Sequence, residues 1–420
     1  MGKATIRKTC RISGEHLIPL FSLGDMYMSD FLPMNESPRS PKVPLELTLA
    51  PKSGLVQLRH TAPFDDMYKT YWYRSSTNES MIEELRQIAT STAKLMHIGK
   101  DDLWIDIGCN DGTLLSFLPK EVVRIGYDPN DYKALSEKHA DWIVNDYFNA
   151  KAFRASKYGK KKVKVITSIA MFYDLEDPRS FVQDVYDVLD DNGLWVIQMS
   201  YLPLMLQQLA FDNICHEHLE YYSLSSLKYL LDTHGLEIVD CQINAANGGS
   251  FRIYIRKRGA KPSTFAFAPY RDVAAFRVGS ILSYEKTLRL NSPKTYKDFY
   301  RRARDLRDQT LKFMRAEKKK GKTIWAYGAS TKGNTLLQWW GIDNSLVDGI
   351  AERSEPKFGL KTVGTNIPIT SEAEMRKAKP DYLLVLPWHF IDSFVRREQA
   401  FLKGGGAFIV PCPRFEIIRG

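Results

Sequence analysis

The sequence has no uninterrupted apolar run of the ~18 residues that a membrane-spanning helix needs. Its N-terminal apolar stretch, residues 17–23, is short and is interrupted by Pro19. A secretory signal peptide would also require a longer apolar segment. We therefore expect a soluble protein that neither enters a membrane nor leaves the cytoplasm.

Cysteine is scarce, with 5 among 420 residues and no C-x-x-C pair. Neither a disulfide framework nor a thiolate zinc site is encoded by such a pattern, and a reducing cytoplasm fits it. The sequence also lacks short-period repeats, low-complexity tracts and nucleic-acid-binding motifs. We therefore interpret the net charge of +10 as solvated basic faces, which would also favour a phosphorylated small substrate.

An apolar stretch at 103–107 leads into an acidic turn punctuated by glycines, and a second short strand ends about 20 residues later on an acid. Carboxylates repel phosphate, so this turn suits a cationic nucleoside, and the second acid suits a ribose diol. The pattern predicts a class I S-adenosylmethionine fold. An acid after the next apolar run could contact the adenine amino group or could be an ordinary loop residue. The candidate cofactor-binding residues are Asp106, Gly108, Asn110, Gly112, Asp128 and Asp146.

Four parts are predicted: a small β-rich module (1–78), an alternating α/β domain (79–258), a charged connector of one or two long helices (259–320) and a second α/β domain (321–420). Alternating strands and helices predict a doubly wound, mostly parallel sheet that binds its ligand at the carboxyl ends of the strands. In the last part, the turn 328–333 has the glycine spacing of a P-loop, but Asn334 stands where the lysine is required. A strand is expected at 347–351 and a helix from Asn334. The turn suits an anion or is a purely structural strand-to-helix turn.

Histidines, glutamates and tyrosines are concentrated between residues 211 and 223, just beyond a predicted strand. A zinc site of the H-E-x-x-H type fails because Glu220 occupies the last position. The histidines His216 and His218 are therefore structural, or general bases with Glu217 as a carboxylate neighbour. They could also bind a metal from one face of an extended segment, for which no third ligand is evident. A base that removes a proton from carbon also needs a donor to the adjacent carbonyl oxygen. The candidates for that donor are Tyr71 and Tyr73, although both could simply pack between modules.

Several motifs together resemble the nucleotide-sugar C-methyltransferases of branched-chain deoxysugar pathways, which supply antibiotics and lipopolysaccharides. They lie at 73–76, 106–115, 215–223, 247–252, 327–334 and 386–388. The resemblance implies methylation at carbon 3 of a nucleoside-diphosphate-linked 4-keto-6-deoxy sugar, with S-adenosylmethionine as donor and His218 as base. It also implies that the C-terminal Rossmann-like domain closes over the nucleotide. The residues implied in substrate binding are Tyr222, Asn247, Ser330, Lys332 and Asn334.

The chain departs from this family at several positions. Members carry a zinc site of two C-x-x-C pairs, whose positions are occupied here by Cys10, Ser13, Ala50 and Ser53. We therefore predict no zinc and a module held by packing. Cys215 replaces the tyrosine before His-Glu-His, and an additional histidine is lost within 171–174. A monomer or homodimer without nucleic-acid or membrane partners is expected. The alternatives are an O- or N-methyltransferase and a non-enzymatic nucleotide- or RNA-binding protein.

Overall fold

A computed structural model describes residues 4–63, 72–260 and 271–420. The N-terminal part is built from short antiparallel strands, in which β2, β4 and β5 form the main sheet and β1 pairs with β6. These strands are β1 (Thr5–Ile6), β2 (Ile18–Met26), β3 (Phe31–Pro33), β4 (Val43–Ala50), β5 (Leu55–Leu58) and β6 (His60–Thr61). This part is more regular than the irregular module that we expected from its many turn residues.

The middle part is a doubly wound α/β domain. Its strands are β7 (Leu103–Ile107), β8 (Val123–Tyr127), β9 (Trp142–Val144), β10 (Val163–Ile169), β11 (Leu189–Ser200), β12 (Glu220–Tyr221), β13 (Leu236–Asn244) and β14 (Ser250–Lys257). Its helices are α1 (Glu79–Leu95), α2 (Thr113–Ser116), α3 (Lys133–Ser136), α4 (Ala150–Ala155), α5 (Pro178–Val188), α6 (Leu202–Gln207) and α7 (Leu224–Asp232). Within the described residues the sheet order is β9-β8-β7-β10-β11-β14-β13, and β14 runs antiparallel to both neighbours. This is the strand order of a class I S-adenosylmethionine methyltransferase, so the predicted fold is confirmed.

Strand β12 does not join this sheet but pairs with β5, so the middle part completes the N-terminal sheet. The strand lies directly after the histidine-rich segment. The segment is therefore held between the two parts rather than left as a free loop.

The charged connector forms two helices, α8 (Arg271–Thr287) and α9 (Pro293–Lys319). The second begins at a proline, which is favoured in the first turn of a helix because its missing N–H has no partner there in any case. The two-helix form of our expectation is therefore observed.

The C-terminal part is a second α/β domain with the sheet order β18-β16-β15-β19-β20-β21, in which β21 is antiparallel to its neighbour. Its strands are β15 (Ile324–Tyr327), β16 (Ile350–Glu352), β17 (Leu360–Thr362), β18 (Ile369–Ser371), β19 (Tyr382–Val385), β20 (Ala407–Val410) and β21 (Glu416–Arg419). Its helices are α10 (Thr331–Trp340), α11 (Glu372–Ala378), α12 (Ile391–Arg397) and α13 (Gln399–Lys403). Strand β17 pairs with β3 of the N-terminal part.

Two local expectations in this domain were wrong. Helix α10 begins three residues before Asn334, because the hydroxyl of Ser330 accepts a hydrogen bond from the N–H of Gly333 (3.0 Å) and so caps the helix earlier. The strand expected at 347–351 starts only at Ile350.

The buried apolar residues connect the three parts. One cluster combines N-terminal strands, the segment 202–221 and the C-terminal sheet, and two further clusters cover the faces of the methyltransferase sheet. None of the helices in the described ranges has the length and apolarity needed to span a bilayer.

Candidate active site

The turn after β7 brings two glycines close to neighbouring chain. Gly108 and Gly112 have φ angles of 77° and 79°, in the left-handed region that favours glycine. A Cβ atom at Gly108 would lie 2.9 Å from Cγ of Met171, and one at Gly112 would lie 2.9 Å from Cα of Ser136. The turn therefore requires glycine at both positions and leaves backbone open at the carboxyl edge of the sheet.

Two acids flank this turn at the ends of neighbouring strands. Asp106 accepts a hydrogen bond from the hydroxyl of Thr167 (2.6 Å), and its burial raises the pKa to about 7. Asp128 accepts hydrogen bonds from the backbone N–H groups of Asn110 (2.8 Å) and Asn130 (3.0 Å), while burial raises its pKa. Buried carboxylates with spare lone pairs beside a glycine turn fit a nucleoside with a sulfonium charge. The residues present therefore fit S-adenosylmethionine.

Asn110, which we predicted to bind the cofactor, makes its side-chain hydrogen bonds within the protein. Its side chain accepts a hydrogen bond from the N–H of Ser75 (3.0 Å) and donates one to the backbone oxygen of Tyr73 (3.1 Å). Asp111 accepts a further bond from the N–H of Ser76 (3.0 Å). The turn thus holds the segment 73–76, and the side chain of Asn110 is already engaged within the protein.

Of the two tyrosines expected near the substrate, Tyr73 lies within the described residues. The hydroxyl of Tyr73 is buried without a hydrogen-bond partner among the described residues, and burial, with the Asp111 charge second, raises its pKa. It therefore lies on the side of the glycine turn. Tyr71 lies outside the described residues.

Asp146 follows β9 and is exposed. Its carboxylate accepts a hydrogen bond from the N–H of Tyr147 (2.7 Å), as in an ordinary loop. Both interpretations of this acid therefore stay open.

His218 is held in one tautomer. Its Nδ1 lies 2.9 Å from the backbone oxygen of Asn213, which can only accept, so Nδ1 carries the hydrogen and Nε2 keeps a lone pair. Burial, and then the positive charge of Lys332, lower the pKa of this imidazole to about 3. Its ring packs on that of Tyr173, with 4.4 Å between the centroids, and lines a small cavity. His218 is therefore a neutral imidazole, and its acceptor nitrogen Nε2 has no hydrogen-bond partner among the described residues.

His216 has a structural environment instead. It is buried, its Nε2 lies 2.9 Å from the backbone oxygen of Val43 in β4, and burial lowers its pKa to about 4. This histidine joins the segment 211–221 to the N-terminal sheet. The geometry therefore does not support the catalytic role predicted for it.

Two carboxyl groups accompany His218. Glu217 has a buried oxygen without a partner among the described residues, and burial raises its pKa. Asp174 ends the turn after β10, has a buried and similarly unpartnered oxygen, and has a pKa raised by burial and then by the charge of Glu217. Our sequence reasoning missed Asp174 as a site residue, although its position after a parallel strand was a usable signal.

Lys332 brings a positive charge to this cluster from the first turn of α10. It has no ion-pair partner among the described residues, yet it acts electrostatically across the domain boundary. The groups whose pKa values its charge lowers are Asp174, Asp212, Cys215, His218 and His389. An unpaired cation facing a catalytic segment suits an anionic ligand.

Two neighbours of Lys332 have other surroundings. Ser330 is engaged as the cap of α10, as described above. Asn334 is buried and contacts the backbone oxygen of Asp30 (3.4 Å), with its own side-chain oxygen unpartnered in the described chain.

The C-terminal domain contacts the segment 211–221 directly. The indole N–H of Trp388 donates a hydrogen bond to Asp212 (3.1 Å), just before the histidines. Next to it, a Cβ atom at Gly248 would lie 3.4 Å from Cβ of His389. Asn247 precedes that glycine with a φ of 51° and therefore lies at the same boundary. His389 is a residue that our sequence reasoning missed.

Tyr222 is placed in the methyltransferase core. Its ring lies 5.3 Å from that of Phe172, it is fully buried, and Glu220 and Cys10 are among the groups that raise its pKa after burial. The hydroxyl therefore faces the N-terminal module. This placement does not support the substrate-binding role predicted for Tyr222.

The N-terminal module does not fit zinc. Its possible ligand positions hold one thiol, that of Cys10, which lies 3.5 Å from the hydroxyl of Ser53. The described residues contain no group of three or more His, Cys, Asp or Glu side chains able to hold a metal ion. Instead, the carboxylate of Glu15 accepts hydrogen bonds from Ser13 Oγ (2.8 Å) and from the N–H groups of Lys52 and Ser53 (both 2.9 Å). Hydrogen bonds, in addition to the expected packing, thus join the two turns that a metal would have joined.

Comparisons with protein families cover most of the chain. Residues 73–240 match a methyltransferase domain, residues 245–413 match a C-methyltransferase C-terminal domain, and residues 10–68 match a domain described as zinc-binding. The last match and the substituted ligand positions disagree, so the absence of zinc stays a prediction.

Individual proteins are similar to this chain over different shares of its length. The C-methyltransferase NovU of Streptomyces niveus is 27% identical over 416 residues, which cover 97% of this chain and 96% of that protein. A sphingolipid C9-methyltransferase of Komagataella phaffii is 26% identical over 155 residues, 33% of this chain and 32% of that protein. A solved S-adenosylmethionine-dependent methyltransferase from Clostridium acetobutylicum aligns with a TM-score of 0.34 at 11% identity, over 42% of this chain and 92% of that one.

Proposed function

Because this chain belongs to the S-adenosylmethionine-dependent C-methyltransferase family, we propose that it methylates carbon 3 of a nucleoside-diphosphate-linked 4-keto-6-deoxy sugar. The observation that carries the proposal is the state of His218, a neutral imidazole whose Nδ1–H is bound to Asn213 and whose Nε2 has no hydrogen-bond partner among the described residues. Such a base is needed where the acceptor is carbon, because a C–H bond next to a ketone must first be broken.

The cofactor residues act by binding and orientation. Bound S-adenosylmethionine supplies an electrophilic methyl group. Asp128 is suited to hold its ribose and Asp106 to support the glycine turn from below, while Gly108 and Gly112 let the backbone approach the ligand.

On the substrate side, Nε2 of His218 takes the proton from carbon 3. Glu217 precedes this histidine in the chain, and Asp174 follows Tyr173, whose ring packs on the imidazole. Lys332 is suited to attract the diphosphate, and Trp388 and Asn247 lie where the C-terminal domain meets the site. His218 then returns its proton to solvent.

The test is deuterium incorporation at carbon 3, followed by NMR for a panel of 4-keto nucleotide sugars in D2O, with and without the methyl donor. We expect exchange with one of these sugars, and His218→Ala should slow it by about 10²- to 10⁴-fold. His234→Ala, a histidine at the end of α7, is the matched control and should exchange like wild type. Methyl transfer to oxygen or nitrogen without exchange at carbon 3 would contradict the proposal.

A further inference from the structure

The proposed reaction needs a hydrogen-bond donor for the substrate carbonyl, and the described residues leave that role open. Tyr73 faces the glycine turn, as described above. Cys215 occupies the place of a tyrosine in the resembled family, but burial raises the pKa of its thiol and a thiol is a weak donor. Tyr71, the other tyrosine predicted for this role, lies outside the described residues. Among the described residues, a donor must therefore be sought elsewhere around His218.

Asn213 combines two unusual features. Its backbone oxygen accepts the Nδ1–H of His218 (2.9 Å) and also a longer hydrogen bond from the hydroxyl of Tyr221 (3.4 Å). The residue is only 7% exposed and lines the same cavity as His218, together with Ser200.

The amide of this side chain is uncommitted. Its oxygen is buried without a hydrogen-bond partner in the described chain. The oxygen and the nitrogen of a side-chain amide exchange places by a flip, so this unpaired position can equally hold the N–H₂ donor. Buried amides are normally paired, because an unpaired one loses its hydrogen bonds to water without replacement. The residue closes a single 3-10 turn, Phe211–Asn213, and caps no helix with its side chain. The side chain is therefore available to a ligand that enters the cavity.

We propose that the side-chain amide of Asn213 donates a hydrogen bond to the carbonyl oxygen of the substrate, while the backbone oxygen of the same residue orients the base. This inference rests on the proposed function. As Nε2 of His218 takes the proton, the C–H electron pair forms the carbon–carbon double bond and the carbonyl π electrons move to oxygen. The Asn213 amide stabilises that enolate oxygen. When the enolate carbon forms its bond to the methyl group, the sulfur–methyl bond breaks and the ketone is restored.

Substitution of the side chain tests this role without removing the group that orients His218. In Asn213→Ala the backbone carbonyl stays, so the acidic limb of the kcat/KM profile should not move. Deuterium exchange at carbon 3 should slow by about 10²- to 10³-fold, as for loss of one oxyanion donor. Asn213→Asp has the same shape but only accepts and is negatively charged, so it should be at least as slow. KM for the sugar should change little in both variants.

Several results would overturn the inference. Exchange by Asn213→Ala within about threefold of wild type would remove the donor role. A shift of the acidic limb together with the rate would make Asn213 a positioning residue for His218. A larger loss in Ser200→Ala would move the role to that hydroxyl. Thermal unfolding and S-adenosylmethionine binding verify that each variant folds. If Asn213→Ala does not fold, the exchange rate of Asn213→Asp tests the donor role. If wild type exchanges no deuterium with any sugar, the proposed function itself fails.

Discussion

At the residue scale, the surroundings of His218, the proposed base, keep its imidazole unprotonated. A histidine with a pKa of about 3 is almost entirely neutral at physiological pH, but a low pKa also makes it a weak proton acceptor. Lys332 contributes to this lowering. An anionic substrate would offset that charge and so increase the basicity of His218 only when the substrate is bound.

The first prediction concerns this coupling. Lys332→Met removes a positive charge beside His218, so the pKa of the imidazole should rise and the acidic limb of kcat/KM should move to higher pH. KM for the nucleotide sugar should also rise about tenfold or more, as for a lost charged hydrogen bond. The pH profile of steady-state methylation measures both effects. Lys403→Met, an exposed lysine of the same domain, is the control, and an unchanged limb in Lys332→Met would contradict the coupling.

A second prediction concerns Asp106. Its pKa in the folded state is about 7, above the ~3.9 of an unfolded chain, so the folded state binds more protons between these values. Its contribution to stability is therefore present below pH ~4 and is lost as the pH rises to 7. The free energy of unfolding should therefore depend on pH differently in Asp106→Asn. Across this window, its slope against pH should be more positive than that of wild type by up to about 1.4 kcal/mol per pH unit. Urea unfolding at several pH values measures this slope, and the exposed Asp146→Asn should retain the wild-type slope.

At the scale of elements, the N-terminal module shows how two turns keep their geometry without the ligands of a metal. The turns at 10–14 and 50–54 have the same backbone hydrogen bond, from Gly14 N–H to the Cys10 oxygen (2.9 Å) and from Gly54 N–H to the Ala50 oxygen (2.8 Å). Glu15 joins them by its carboxylate. A single acid thus links the two turns that carry the four positions of the family's zinc ligands.

We therefore predict that Glu15→Gln destabilises the protein by about 1–3 kcal/mol, because hydrogen bonds to a charged group are lost. Partial burial opposes ionisation, but the bonds from Lys52, Ser53 and Ser13 lower the pKa of Glu15. Its contribution to stability is therefore present above pH ~4.3 and is lost as the pH falls through the lowered value. Chemical unfolding measures the loss of stability. The control is Glu36→Gln, which removes the acid of a more exposed ion pair. Bound zinc in the purified protein, or unfolding by a chelator, would contradict the metal-independent link.

At the scale of the whole molecule, the site is assembled from all three parts. The segment 211–221 lies between the N-terminal sheet, to which His216 and β12 bind, and the C-terminal domain, which supplies Lys332 and Trp388. The apolar cluster that contains this segment also spans both of those parts. Loss of contact at one boundary should therefore affect substrate binding more than cofactor binding.

Trp388→Phe tests this assembly. The variant retains an aromatic ring but removes the N–H bonded to Asp212, so the C-terminal domain should hold the catalytic segment less firmly. We expect KM for the nucleotide sugar to increase about fivefold to tenfold, with the Kd of S-adenosylmethionine unchanged in calorimetry. Trp325→Phe, in β15 of the same domain, is the control. Equal losses of cofactor and sugar binding would indicate general unfolding instead.

Local pattern was enough for the methyltransferase sheet and for the residues at its edge. Strand β7 was predicted with its observed bounds, because it is a short apolar run ended by a turn signal. The environment of individual polar side chains was not predictable. His216 and His218 are two residues apart and have the same chemistry, yet one binds a backbone oxygen of β4 and the other lines a cavity.

The order of apolar runs, glycines and acids along the chain thus determines the two α/β domains and the cofactor edge, because periodicity and turn chemistry are local properties. Contacts between residues far apart in the chain decided the surroundings of Asn110, Tyr222 and His216, and brought Asp174, Asn213 and His389 to our attention. Burial, tautomer and electrostatic coupling depend on which distant groups fold against a side chain, and one sequence position does not contain that information.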